Sequence, residues 1–229
     1  MLQGLDASGK DGTIRSVFTG VNAQGCRVVS FTAPAGHERA HDYLWRVHSA
    51  CPERGEIGIF NRSHYEDVIT VRVRGLAPEA VWKRRFGHIN DFERLLTDEG
   101  TTLVKVYLHI SRQEQRRRLQ SRIDNPERRW KFQAADLEDR ARWDEFQRAF
   151  EETLTKTSTE WAPWYVVPSD RKWVRNVAVG SLLVEILCRL DPQPPEPVEG
   201  FTGLVVDEGR DPLLARQEPG ADITGTTVP

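Results

Sequence analysis

Gly4-Leu5-Asp6-Ala7-Ser8-Gly9-Lys10 is the stretch on which the fold turns. It matches G-x-x-x-x-G-K and runs into a helix-like segment over residues 11–21. A loop of this form points successive backbone N–H groups at one anion, and the helix that follows adds the positive end of its dipole. Lys10 supplies a mobile positive charge for phosphoryl oxygens. The Ser or Thr that holds magnesium in many such loops is replaced by Asp11, so a metal has to be held differently. Gly4, Gly9, Lys10, Asp11 and Gly12 are therefore the candidate phosphate-binding positions. The pattern arises by chance in roughly one chain in twenty of this size. Its weight depends on other phosphate-handling residues at strand ends.

Outward from the loop, apolar runs rich in β-branched residues recur at 26–33, 56–61, 102–110 and 164–167, separated by helix-like stretches. This alternation predicts an α/β fold, a parallel sheet flanked by helices. One helix is expected over 78–99, with Val81, Phe86, Ile89, Phe92, Leu95 and Leu96 at helical spacing and Gly100 as its stop. Others are expected over 111–122, ending before Asn125-Pro126, over 136–154 and over 172–190. Residues 1–190 read as one domain. The tail, 191–229, shifts to Pro, Gly, Glu, Asp and Thr, and is expected to be disordered because it cannot repay its ordering entropy.

The 229 residues carry 32 Lys and Arg against 34 Asp and Glu, a formal net charge of −2. No global basicity argues for nucleic acid, so any anion-binding surface must be local. Cys26, Cys51 and Cys188 are widely spaced and odd in number, which speaks against a disulfide framework or zinc cage and fits a reducing cytoplasm. No run approaches the roughly 18 apolar residues of a membrane span, so no membrane association is expected.

The run over 56–61 ends in Asn61-Arg62-Ser63-His64-Tyr65-Glu66-Asp67. Ligands of open α/β sheets sit beyond the carboxyl ends of strands, so this cluster is expected to face the same crevice as the loop. Arg62 is suited to a bidentate phosphate grip, and Asn61 to positioning metal or phosphate. Ser63 and Glu66 also read as a helix capping box, which leaves Arg62 unexplained. Farther on, arginines crowd 112–118 as a solvated helix face. From Arg122, with Arg128, Arg129 and Lys131, they flank a proline break and mix with Trp130 and Phe132, the pattern of a lid over a polyanion or nucleotide, about 122–135.

GLDASGKDGTI at 4–14, HDYLWRVH at 41–48, GEIGIFNRSHYEDV at 55–68, RIDNPERRWKF at 122–132 and TSTEWAPWYVVPSDRKWVRN at 157–176 together resemble the family-2 polyphosphate kinases. The likeness covers most of 4–190 and leaves out the tail. It implies a P-loop kinase-like sheet with a helical lid, and transfer of a phosphoryl group between inorganic polyphosphate and purine nucleotides, AMP/ADP or GMP/GDP, with Mg2+. Asp6, Lys10 and Arg62 take the family's catalytic positions, Asp6 and Asn61 its metal positions, and Arg122 onward its lid. Many members carry Asp where this chain has Asn61; Asn there, with Glu66 behind it, resembles the subgroup that accepts nucleoside mono- and diphosphates. A homo-oligomer is also expected.

Three rival expectations stand beside this one. His37-Glu38-Arg39-Ala40-His41 is a formal H-E-x-x-H, which on a helix holds zinc in peptidases, with Glu66 as the carboxylate available for a third ligand. A relative that binds nucleotides without turnover is a second, and an ATP-dependent small-molecule kinase a third. Finally, Met1, Leu2 and Gln3 are too few for the strand from which a phosphate loop normally hangs. The sheet's central strand is therefore expected to be missing, with upstream codons encoding it.

Overall fold

The computed structural model describes residues 1–194; the expectation of disorder in the tail falls almost wholly outside the described residues. Met1 to Asp191 form one compact unit. Five strands, β1 (Leu2–Gln3), β2 (Cys26–Ser30), β3 (Ile57–Asn61), β4 (Lys105–His109) and β5 (Trp164–Pro168), make a parallel sheet in the order β2-β3-β1-β4-β5. Among the described residues its helices are α1 (Lys10–Val17), α2 (Trp45–His48), α3 (Thr70–Val73), α4 (Glu79–Asp98), α5 (Arg112–Asp124), α6 (Ala134–Ala141), α7 (Trp143–Thr157) and α8 (Lys172–Leu190). None is long and apolar enough to cross a membrane.

The period of two along β4 sorts its side chains between two cores. Val106 and Leu108 join Leu2, Ile59, Val167 and Val179 under α1 and α8, whose Ile14, Val17, Leu182 and Leu183 close that layer. Tyr107 points to the other face, where Tyr65, Ile69, Phe86, Ile89, Phe146 and Phe150 bring α3, α4 and α7 onto the sheet. Lys105 also lies wholly buried. Its Nζ donates to Glu93 Oε2 at 2.6 Å, Tyr65 Oη at 3.0 Å and Thr157 O at 2.6 Å, so an otherwise costly buried charge is fully coordinated.

Three expectations need correction. The centre of the sheet is not missing: Leu2 pairs with Asn61 on one side and Val106 on the other, and Gln3 with Tyr107. Two residues suffice because the neighbours supply the hydrogen bonds, Arg62 N donating to Leu2 O (3.0 Å) and Val106 N to Met1 O (2.9 Å). The helix expected over 136–154 is two helices. Arg142 leaves helical geometry (φ −96°, ψ 28°), its Nη1 donates to Val73 O at 2.7 Å, and Arg74 grips Asp139 through two bonds of 2.7 and 2.9 Å. Contacts from α3 thus turn the chain between α6 and α7. The first helix ends at Val17 rather than near 21, where Gly20 takes a left-handed φ of 86°. By contrast α4 stops at Gly100, whose φ of 93° closes the helix.

Candidate active site

The loop between β1 and α1 is held in unusual backbone conformations. Gly4 has φ 153°, and a Cβ there would meet Leu108 O and Ser8 Oγ at 2.7 Å; Ala7 has φ 64°, and Gly9, the residue before α1, φ 103°. Ser8 N donates to Leu5 O at 3.0 Å, closing the turn. The first N–H groups of α1 have no acceptor within their own helix, so they can serve an anion.

Lys10 is buried, and its Nζ folds back over the loop to donate to Gly4 O (2.7 Å) and Leu5 O (3.3 Å). Burial, assisted by the charge of Arg62 and opposed by Asp6, Glu66 and Asp11, pushes the ammonium down to about 8. Across the crevice, Arg62 follows the last residue of β3 with φ 65°, and its fork spans two carboxylates: Nη2 donates to Asp6 Oδ1 at 2.6 Å and Nη1 to Glu66 Oε2 at 3.2 Å. Burial pushes the Asp6 carboxyl up, yet Lys10, Arg62 and Arg122 together outweigh it and leave it below its ordinary value. Glu66, followed by Asp6, holds the Arg62 guanidinium above its ordinary value.

Asn61, at the end of β3, donates from Nδ2 to Asp11 Oδ1 at 2.8 Å, while its buried Oδ1 has no hydrogen-bond partner. Asp6 uses Oδ1 for Arg62. A hard divalent cation fits this set of oxygens, because magnesium is commonly held by one or two protein oxygens completed by water and substrate phosphates. Among the described residues no three His, Cys, Asp or Glu side chains gather as an all-protein metal cage.

The sequence-predicted residues therefore divide. Gly4, Asp6, Gly9, Lys10, Asp11 and Gly12 meet Asn61 and Arg62 at the carboxyl edge of β1 and β3. Arg122 joins them electrostatically: its charge acts on Asp6, and its Nη1 lies 3.5 Å from Asp136 Oδ2 on α6. Burial, then the charge of Asp6, pushes the Asp136 carboxyl up. Arg128, Arg129 and Lys131 are exposed on the turn between α5 and α6, Lys131 Nζ 5.0 Å from the Trp130 ring centre. They are not brought to the loop.

His37, Glu38 and His41 lie on an exposed 3-10 turn, Gly36–Ala40, and the residue after it, not on an α-helix. Glu66, the carboxylate a third zinc ligand required, is occupied by Arg62 and by Thr70 Oγ1 at 2.6 Å. Among the described residues the peptidase reading therefore finds no cluster of three metal ligands.

Four residues beside the loop escape the sequence reading. Gln115 Nε2 donates to Asp6 O at 3.0 Å; Arg118 Nη1 donates to Ala7 O and Ser8 O at 3.0 and 3.1 Å. Ser169 Oγ and Arg175 Nη1 both donate to Ser8 O, the latter at 3.3 Å. Burial, and secondarily Arg118, pushes the Arg175 guanidinium down to about 10. Ser169 and Arg175 follow the carboxyl end of β5, and that position was the available signal. Arg118 lies hidden in a run of surface arginines.

The family model described as Polyphosphate kinase 2 (PPK2) matches residues 1–194. The AMP/ADP-polyphosphate phosphotransferase of Meiothermus ruber is 56% identical over 207 residues, covering 90% of this chain and 78% of the relative. The ADP-polyphosphate phosphotransferase of Rhodopseudomonas palustris is 46% identical, covering 86% and 72%. The crystal structure of polyphosphate kinase 2 from Arthrobacter aurescens TC1 superposes with a TM-score of 0.82 at 44% identity, covering 86% of this chain and 69% of that one.

Proposed function

The chain belongs to the polyphosphate kinase 2 family, and from that premise we propose that it transfers a phosphoryl group between inorganic polyphosphate and AMP or ADP at the crevice of Asp6, Lys10 and Arg62. The observation that carries the assignment to this crevice is the Arg62 fork on Asp6 beside the Lys10 ammonium, at the end of a phosphate loop. In the forward direction a bridging P–O bond of polyphosphate breaks, and a terminal phosphate oxygen of the nucleotide forms the new bond. That oxygen is already anionic near neutral pH, so no side-chain nucleophile or base is needed. What remains is to align the groups and neutralise charge spread over the transferring oxygens.

Loop N–H groups and Lys10 do this on one side and Arg62 on the other. Lys10 exchanges its carbonyl contacts for phosphate oxygens, and phosphate charge restores its protonation against burial. We assign the divalent cation to Asp6 and the free Asn61 oxygen, and take it to be Mg2+; bound there, it supplies further charge neutralisation on phosphate oxygens. Arg122 approaches from the lid and adds a cation to the polyphosphate. A cavity of about 540 Å3, lined by Tyr43, Arg46, Asp67 and Arg85 among others, has the size of a nucleotide site. The exposed Trp173, Val177 and Val184 along α8 support the expected homo-oligomer, which light scattering would weigh. A cytoplasmic location accords with these substrates.

The test is incubation of polyphosphate with AMP, ADP, GMP and GDP in turn, with and without Mg2+, and separation of the products. Metal-dependent ADP or ATP is expected. A folded protein that forms no such product refutes the proposal.

A further inference from the structure

A phosphate loop has two sides. Its N–H groups serve the ligand, and its carbonyl oxygens need donors of their own if they are to stay turned away from an anion. Here the carbonyls of Asp6, Ala7 and Ser8 are all taken from behind, by Gln115, Arg118, Ser169 and Arg175. Arg118 is the hub. Its Nη1 holds Ala7 O and Ser8 O at 3.0 and 3.1 Å, its Nη2 donates to Ser169 O at 2.6 Å and Asp170 O at 2.9 Å, and its Nε to Glu114 Oε1 at 2.8 Å. One guanidinium thus ties α5 to the loop and to the segment after β5.

Only arginine has this reach, a rigid planar fork with five N–H donors; an ammonium has three donors and no plane. The residue gripped most directly is Ala7, whose φ of 64° is a left-handed value that side chains other than Gly, Asn and Asp rarely adopt. Such a conformation persists only where its surroundings enforce it. Gln115 extends the arrangement, since its Oε1 accepts from Arg140 Nη1 of α6 at 2.9 Å while its Nε2 holds Asp6 O.

We propose that Arg118 is a positioning residue for phosphoryl transfer: by holding the Ala7 and Ser8 carbonyls outward it keeps the loop N–H groups and Lys10 aimed at the phosphate chain. The proposal rests on the phosphotransferase reading above, and a misplacement of about 1 Å in such a site costs about 10²-fold in rate.

Arg118→Lys and Arg118→Ala, made in the full chain, are compared with wild type for kcat with polyphosphate and AMP, for melting temperature, and for calorimetric binding of inorganic tripolyphosphate. Arg118→Lys is expected to stay folded at the assay temperature with a lowered melting temperature, to lose about 10²-fold in kcat and to bind tripolyphosphate about tenfold more weakly. Guanidinium ion at millimolar concentration should restore part of the kcat lost in Arg118→Ala. Wild-type kcat and tripolyphosphate affinity in Arg118→Lys overturn the proposal, and so does a loss that only tracks the unfolded fraction. If Arg118→Ala does not fold, Arg118→Lys decides. Wild type that binds tripolyphosphate yet transfers nothing refutes the functional reading alone, and the binding comparison still judges Arg118.

Discussion

Arg62 Nη2 stands 2.6 Å from Asp6 Oδ1 and joins the end of β3 to the phosphate loop. The same guanidinium reaches Glu66, so two anions set its plane. Arg62→Lys should lower kcat by about 10²-fold, because an ammonium cannot span both carboxylates and face phosphate as well. Asp6→Asn should lower kcat by about 10²- to 10³-fold and raise the divalent cation concentration needed for half-maximal rate. Steady-state kinetics across a metal titration check both; an unshifted metal dependence in Asp6→Asn removes Asp6 as a metal position.

Lys10 should impose opposite pH trends on activity and stability. Its charged form prevails below about 8, so kcat/KM for the phosphate substrate falls as pH rises through that value. Saturating phosphate shifts the limb upward. In the unfolded chain a lysine titrates near roughly 10.4, so between about 8 and that value the unfolded state holds the extra proton and stability rises with pH. Melting temperature against pH for wild type and Lys10→Met checks the sign: equal slopes across this window count against it.

Gly9→Ala should abolish transfer. The added Cβ would overlap Arg175 Nη1, and φ 103° is unfavourable for any side chain. The guanidinium it displaces also supports Ser8 O. Loss of tripolyphosphate binding in a folded variant is the expected calorimetric result, and retained wild-type binding contradicts the fit described here.

Gly87→Ala in α4 and Gly180→Ala in α8 should each stabilise the protein by about 0.5–1 kcal/mol. Both glycines have helical surroundings with nothing within 4 Å of an added Cβ. Chemical denaturation measures this directly; a fall in stability at either site means that the close-packed helix surface differs from that described.

Arg122→Ala should raise KM for polyphosphate about tenfold while changing KM for AMP less, since the residue, in the last turn of α5, places its charge near Asp6 and pairs with Asp136 at 3.5 Å. Equal KM values in wild type and variant place Arg122 outside the polyphosphate path.

The long elements were readable because their causes are local. The strands over 26–30, 57–61, 105–109 and 164–168 are short apolar runs, and α4 ends where Gly100 supplies a left-handed residue. The break between α6 and α7 was not readable, since it is made by Val73, the last residue of α3, and Arg74 after it, far away in sequence. Likewise two residues make β1 only because β3 and β4 stand on either side with hydrogen-bonding groups ready.

By itself the sequence determined the loop's chemistry. Glycines at positions 4 and 9, a lysine at 10 and a helix after them mark the loop as a candidate anion site, and the place of Asn61-Arg62 at a strand's end follows from the geometry of parallel sheets. Tertiary structure alone decided which charges act together. Arg118 and Arg175 look no different in sequence from Arg128 and Arg129, yet the first two are folded behind the phosphate loop and the others face solvent. The reason is physical: a guanidinium's role is set by the acceptors within about 3 Å of it, and those belong to chain segments that only folding brings near.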